Sequence, residues 1–213
     1  MKIALIGATG FVGSAVLQEA LERGHSVTAI ARHPERLAAH ANLTPRQASA
    51  YQAHEIAAAV TGHDAVVHAF SPGLSDPEVR QHFIDGSRGI IAGTKTTGVR
   101  RLLAVGGAGS LYVAPGVQLI DTPDFPPSYL ETAEGARQLL NILLAEKDLD
   151  WTLISPPALL QPGARTGKFR IGADQLLMNG EVPASISVAD LAVAIVDELE
   201  NPQHLRRRFT VGY

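Results

Sequence analysis

Lys2-Ile3-Ala4-Leu5-Ile6-Gly7-Ala8-Thr9-Gly10-Phe11-Val12-Gly13 decides the fold. A short apolar run enters three glycines, each separated by two residues, and a stretch with helical periodicity follows at once. Strand, tight turn and helix in that order are the context in which a glycine loop binds a dinucleotide. Gly7 permits the turn, Gly10 lets the backbone approach a pyrophosphate, and Gly13 lets the helix pack on the strand. Amides at the helix start then face the phosphates, and the helix dipole favours their negative charge. The cofactor-binding set read from the loop is Gly7, Thr9, Gly10, Phe11, Val12 and Gly13. A nucleoside triphosphate loop is excluded because no Gly-Lys-Ser/Thr follows.

Outward from this unit, apolar runs alternate with amphipathic stretches, the pattern of parallel strands joined by crossover helices. Strands are expected at Lys2 to Ile6, Ser26 to Ala31, Asn42 to Ala48, Ala65 to Ala69, Arg101 to Val105, Trp151 to Ile154 and Arg208 to Gly212. Helices are expected at Gly10 to Arg23, Ala53 to Val60, Pro77 to Thr97, Ser128 to Lys147 and Val188 to Leu199, the last capped by Ser187 and stopped by Asn201-Pro202. The prediction is a single Rossmann-type α/β domain over residues 1–213: a doubly wound, mostly parallel sheet with helices on both faces. Leu111 to Pro127 reads as a long loop. The irregular segment 156–180 reads as a substrate-side extension, with Lys168 to Ile171 and Gln175 to Met178 as a small hairpin.

Cofactor choice is read at the end of the second strand. Enzymes that prefer NADH place Asp or Glu about 20 residues beyond the glycines, on the adenosine ribose. Here the chain reads Ala29-Ile30-Ala31-Arg32-His33-Pro34, with no acid, and Arg32 offers a guanidinium fork to a 2′-phosphate. NADPH is therefore expected over NADH.

Composition narrows the remaining choices. The 213 residues carry a net charge of −3, which gives no basic field for nucleic acid, and no cysteine, which excludes disulfides and thiolate chemistry. The eight histidines form no helical ligand pair flanking a glutamate, so no metal site is expected. No Gly-x-Ser-x-Gly elbow exposes a nucleophilic serine. The apolar start lacks a cleavage site, and no uncharged run approaches the roughly 18 to 20 residues that cross a bilayer. A cytoplasmic protein with no membrane partner is expected. Arg206-Arg207-Arg208 reads as a solvated edge, and a homodimer through the long helices is left open.

Four segments carry a resemblance that spans the chain: Gly7 to Gly13, Gly62-His63-Asp64-Ala65-Val66-Val67, Arg101 through Ser110, and Asp150-Trp151-Thr152-Leu153-Ile154-Ser155-Pro156-Pro157. They resemble the atypical short-chain dehydrogenase/reductase superfamily, in its NmrA-like, NAD(P)-binding branch. The NADH-flavin reductases and flavin/biliverdin reductases of that branch look nearest, the former also through Arg165 to Arg170 and Arg208 to Val211. The resemblance implies a nicotinamide over the ends of the first, fourth and fifth strands, near Phe70, Ser71, Gly106 and Gly107, bordered by Pro156 and Pro157. Ordinary members of the superfamily use a tyrosine and a lysine four positions later as their acid. Here Tyr129 is followed by Ala133, and Ser49 stands where many relatives carry an aspartate near the adenine.

Ser110 and Tyr129 remain as candidate catalytic hydroxyls, while Phe70 has plain packing as its other role. An oxidised flavin accepts hydride at a ring nitrogen and can take its proton from water, so positioning alone can suffice. The expected activity is hydride transfer from NADPH to a flavin, as substrate rather than tightly held cofactor, or to another conjugated small molecule such as a quinone. Two alternatives stay open: an NmrA-like redox sensor without turnover, and a nucleotide-sugar epimerase or dehydratase with a substitute acid.

Overall fold

The computed structural model describes every residue from Met1 to Tyr213. Along the chain run β1 (Lys2–Ile6), α1 (Phe11–Glu22), β2 (Ser26–Ala31), β3 (Leu43–Gln47), α2 (Ala53–Val60), β4 (Ala65–His68), α3 (Val79–Lys95) and β5 (Arg101–Val105). They are followed by β6 (Tyr112–Ala114), β7 (Val117–Gln118), α4 (Leu130–Ala145), β8 (Asp150–Ser155), β9 (Leu159–Gln161) and β10 (Arg170–Gly172). The chain ends with β11 (Met178–Asn179), β12 (Val182–Pro183), β13 (Ser185–Ser187), α5 (Val188–Glu200) and β14 (Arg207–Gly212). Eight strands form one sheet in the order β10-β14-β8-β5-β4-β1-β2-β3. Every pair in it is parallel except β10 with β14. From β1 the chain builds outward through β2 and β3, then returns to the other side of β1 with β4. This is the doubly wound arrangement, and its reversal opens a crevice above the strand C-terminal ends.

The alternation of β1 accounts for the two layers. Ile3 and Leu5 enter a core with Val16, Leu191 and Ile195 of α1 and α5. Ala4 and Ile6 enter another with Ile56, Ile90 and Leu139 of α2, α3 and α4. A strand covered on both faces must be apolar at successive positions, as β1, β4 and β5 are. By contrast β3, Leu-Thr-Pro-Arg-Gln, lies mostly exposed at the sheet edge, where Pro45 has no N–H to offer another chain.

Three expectations are corrected. Lys168 to Ile171 and Gln175 to Met178 do not form a hairpin. Arg170–Gly172 extends the sheet by pairing antiparallel with β14, whose outer edge would otherwise leave backbone groups unpaired, and Met178–Asn179 turns back on Val182–Pro183 through Gly180 at φ +63°. Leu111 to Pro127 contains the β6–β7 hairpin and short 3-10 turns rather than plain loop. Arg208 is not solvated: its side chain is 3% exposed, pairs with Asp174 at 2.7 Å, and donates to the Ser110 carbonyl at 2.7 Å.

Ser187 caps α5 as its sequence predicts, accepting from the Asp190 amide at 3.0 Å. The Asp190 carboxylate itself leaves the helix. It accepts from the Thr166 and Gly167 amides at 2.7 Å each, from the Thr166 hydroxyl, and from the Tyr213 hydroxyl at 2.7 Å. Burial pushes this carboxyl up, but the bonds from Thr166, Gly167 and Tyr213 together hold it below its ordinary value. One acid thus latches the irregular segment to α5 and the C-terminus.

Candidate dinucleotide site and acceptor crevice

The glycine loop is closed by contacts that leave no room for side chains. Gly7 has φ +86°, and a Cβ there would lie 2.4 Å from the Ala69 carbonyl oxygen. A Cβ on Gly13 would lie 2.1 Å from the Gly7 carbonyl oxygen, so α1 rests directly on the turn. The Gly7 amide donates to Ile30 O at 2.9 Å and the Gly10 amide to Gly7 O at 3.0 Å. No side chain caps α1, whose backbone ladder begins with the Ser14 amide on Gly10. Uncapped amides beside exposed Thr9, Gly10 and Phe11, with half-buried Val12 behind them, form a donor set that suits a pyrophosphate. These residues fit a nicotinamide dinucleotide.

At the end of β2, Arg32 is exposed, and its guanidinium forms no ion pair. Asp76, after β4, is held by His82, whose Nδ1 donates to Asp76 Oδ2 at 2.8 Å. That bond keeps the Asp76 carboxyl below its ordinary value and His82 above its own.

Phe70 follows β4 and packs: a Cβ on Gly86 would lie 2.3 Å from its ring, and it meets Tyr51 edge-on at 5.7 Å. Ser71 beside it is exposed. His68 escaped the sequence reading, although a histidine closing an apolar strand at the ligand end of a sheet marks an unusual burial. It is fully buried, with Nε2 2.9 Å from Ser87 Oγ and Nδ1 accepting from the Phe70 amide at 3.3 Å. The acceptor role of Nδ1 places the proton on Nε2. Burial lowers its pKa to about 4, so the ring is neutral and positions the loop after β4.

On the acceptor side, Gly106 and Gly107 lie half-buried after β5, where a Cβ would meet Leu153 at 2.8 Å and Ala136 at 3.2 Å respectively. Pro156 and Pro157 are buried at the end of β8. A Cβ on Gly109 would lie 3.0 Å from Ala133 Cβ. The loop after β5 thus lies close against α4 at Ala133, which stands where a lysine would follow Tyr129 by four positions. Ser110 is 2% exposed, and its hydroxyl accepts from Arg208 at 3.0 Å, so it anchors the loop. Tyr129 sits at the start of α4, 52% exposed, with no partner for its hydroxyl. The structure thus gives the two candidate hydroxyls different surroundings, one sealed and one open. A cavity of about 350 Å³ lies among Phe169, Ile171, Glu198, His204 and Phe209. Glu198 there binds Arg101 and Thr152 near the strand starts, remote from the glycine loop; sheets of this class bind ligands at the opposite end.

A family model described as NAD(P)H-binding matches residues 7–202. The uncharacterised protein YwnB of Bacillus subtilis is 40% identical over 99% of this chain and 98% of its own. A candidate epimerase from Bacteroides thetaiotaomicron superposes with a TM-score of 0.93 at 43% identity, over 100% of this chain and 96% of that one. A candidate NADH-flavin reductase from Streptococcus pneumoniae superposes with a TM-score of 0.86 at 31% identity, over 100% and 99%. No helix is long and apolar enough to cross a membrane.

Proposed function

The chain belongs to the NAD(P)H-binding family, and we propose that it is a reductase passing hydride from NADPH, in preference to NADH, to a flavin or another flat conjugated acceptor such as a quinone. The observation that carries this reading is Ala133 itself, four positions after Tyr129, with the Gly109 loop set close beside it. Where an acid-activating lysine would stand there is an alanine, so a substrate that needs a strong enzymic acid is poorly served. Reduced nicotinamide supplies the hydride. The protein's share is positioning: the glycine loop and α1 hold the phosphates, Arg32 takes the 2′-phosphate, and Gly106, Gly107 and Pro156 border the reacting ring. An acceptor that gains its remaining proton from water matches such a site. Flavin is substrate on this reading, and a cytoplasmic location, where reduced nicotinamide is regenerated, accords with it.

The test is oxidation of NADPH and NADH at 340 nm with FMN, FAD, riboflavin and a short quinone panel. Turnover that Gly10→Val abolishes supports the reading. Tight NADPH binding with no turnover on any acceptor overturns it in favour of a redox sensor. Arg32→Ala should weaken NADPH by about 10- to 150-fold, the worth of hydrogen bonds to a charged group, and leave NADH unchanged. Equal effects on both would refute the cofactor preference.

A further inference from the structure

Strands β1, β4, β5 and β8 are neighbours in the sheet and run parallel, so the loops that leave them all open at one end, around the crevice that would receive the acceptor. Residues 7–10, 69–78, 106–129 and 156–164 make up these loops, and none of them is Lys or Arg. The chain has 18 Lys and Arg in its 213 residues, so their absence from four neighbouring loops is a local feature. The same stretches carry the acids Asp76, Glu78, Asp121 and Asp124. Large apolar side chains stand exposed on these loops or at the helix starts beside them: Phe11, Leu74, Val113, Val117, Tyr129 and Leu159.

The cations that approach this end from other elements are engaged. Arg80, in the first turn of α3, pairs with Glu131 at 2.8 Å. Arg137 of α4 holds Asp121 at 2.7 Å and also Glu134. Arg208 is buried on Asp174, and Arg165 lies on Glu19. Lys168 precedes β10, the outermost strand, which β14 separates from β8. The starts of α3 and α4 offer no open seat for an anion either: the Asp76 carboxylate accepts from the Glu78 amide at 2.9 Å ahead of α3, and Glu131 lies in the first turn of α4. Arg32 follows β2, which β1 separates from β4, on the side given to the dinucleotide phosphates. A phosphate carried by the acceptor would therefore leave water without gaining a cation or a row of free amides in return.

We propose that the acceptor is an uncharged, largely apolar conjugated ring system, a quinone or a flavin without phosphate, and that the cation-free loops select it against phosphorylated flavins. This rests on the reductase reading above and narrows it. The exposed apolar side chains gain by covering such a ring, while the loop acids repel an anionic tail. The neutral acceptor takes one hydride from NADPH and one proton from solvent and leaves as its dihydro form, with NADP⁺ as the other product.

The experiment compares kcat/KM at saturating NADPH for two pairs that differ in charge on one ring system: riboflavin with FMN, and 1,4-naphthoquinone with its 2-sulfonate, whose greater electron affinity favours the anion chemically. Whichever ring system is reduced, the neutral member should lead by about 5- to 50-fold at low salt, and the lead should shrink as salt screens the loops. Leu74→Lys and Val117→Lys place a cation at exposed positions on two of the loops; at least one should narrow the lead by about threefold or more. Leu74→Gln and Val117→Gln, polar but neutral, should leave the ratio as it is, which separates charge from shape. An anionic member reduced as well as its neutral partner overturns the proposal, and so does a lead that neither lysine narrows. NADPH binding with no reduction of any of the four overturns the reductase reading itself, and this proposal with it.

Discussion

Acidification should destabilise the protein through His68 as pH falls from about 6.5 towards 4. The ring is fully buried, its Nδ1 accepts from the Phe70 amide, and its Nε2 meets Ser87, so a second proton would set two N–H groups against each other. Burial lowers the folded pKa from an ordinary 6.5 to about 4. The folded state therefore binds fewer protons than the unfolded chain between those values. The stabilisation is fully present above about pH 6.5, falls as pH drops, and is lost once pH passes through the folded value near 4. The whole window is worth about 3 kcal/mol, of which about 1.4 kcal/mol is lost by pH 5.5 and about 2 kcal/mol by pH 5. Urea unfolding of wild type and His68→Gln from pH 7.5 to 5 isolates this group, since other titrations are common to both. The wild-type advantage should shrink by about 2 kcal/mol across that range, while native-state NADPH affinity should respond to His68 only near pH 4. Parallel stability curves for the two proteins would refute the assignment of a neutral, buried His68.

Gly13→Ala places a Cβ 2.1 Å from the Gly7 carbonyl; it should lose about 1–3 kcal/mol of stability by overpacking and most NADPH affinity, read by thermal melts with and without NADPH. Asp190→Asn turns an acceptor of four donors into a partial donor; it should lower stability by about 1.5–3 kcal/mol and speed proteolysis within 162–168, and unchanged cleavage would count against the latch. Arg208→Met removes the donors on Ser110 but leaves Asp174 in solvent; a loss of about 1–3 kcal/mol in urea unfolding is expected, with 2′,5′-ADP affinity kept and acceptor KM raised.

Where the sequence was legible, a local pattern had one structural solution. The strands that run apolar at successive positions, β1, β4, β5 and β8, lie within the sheet, and the glycine loop lies between β1 and α1, because two covered faces and a helix seated on a turn each demand a residue type. Ser187 is another local demand, met within three residues. Misreadings arose where the partner was distant. Nothing near Arg170 announces that it pairs with Gly212, and nothing near Arg208 announces Ser110, 98 residues away. The α3 glycines were visible as letters, but their purpose depends on Phe70, Ala50 and Ala53, which only the fold brings to that face. His68 was read among eight histidines and passed over because its partner, Ser87, is 19 residues on.

This division follows the chemistry of the two halves of the site. NAD(P)H binding is common to the family, and on the proposed reading the phosphates would meet backbone amides, so glycines at fixed spacing mark the site in the sequence. On the proposed reading the acceptor half would be assembled from segments after β5, β8 and β10, and these are held by charges reaching across the chain: Arg208 on Asp174 and Ser110, Asp190 on Thr166 and Tyr213, and Arg165 on Glu19 at 2.7 Å. Each latch is partly buried and has a dedicated partner, so it fixes loop geometry without touching the glycine loop. Substitutions at the latches should therefore change which acceptor is reduced while leaving dinucleotide affinity intact, and substitutions at Gly7, Gly10 and Gly13 should abolish reduction of every acceptor together. A latch variant that lost cofactor and acceptor binding in equal measure would show that the two halves form one rigid unit, and would make acceptor choice a property of the sheet instead of its loops.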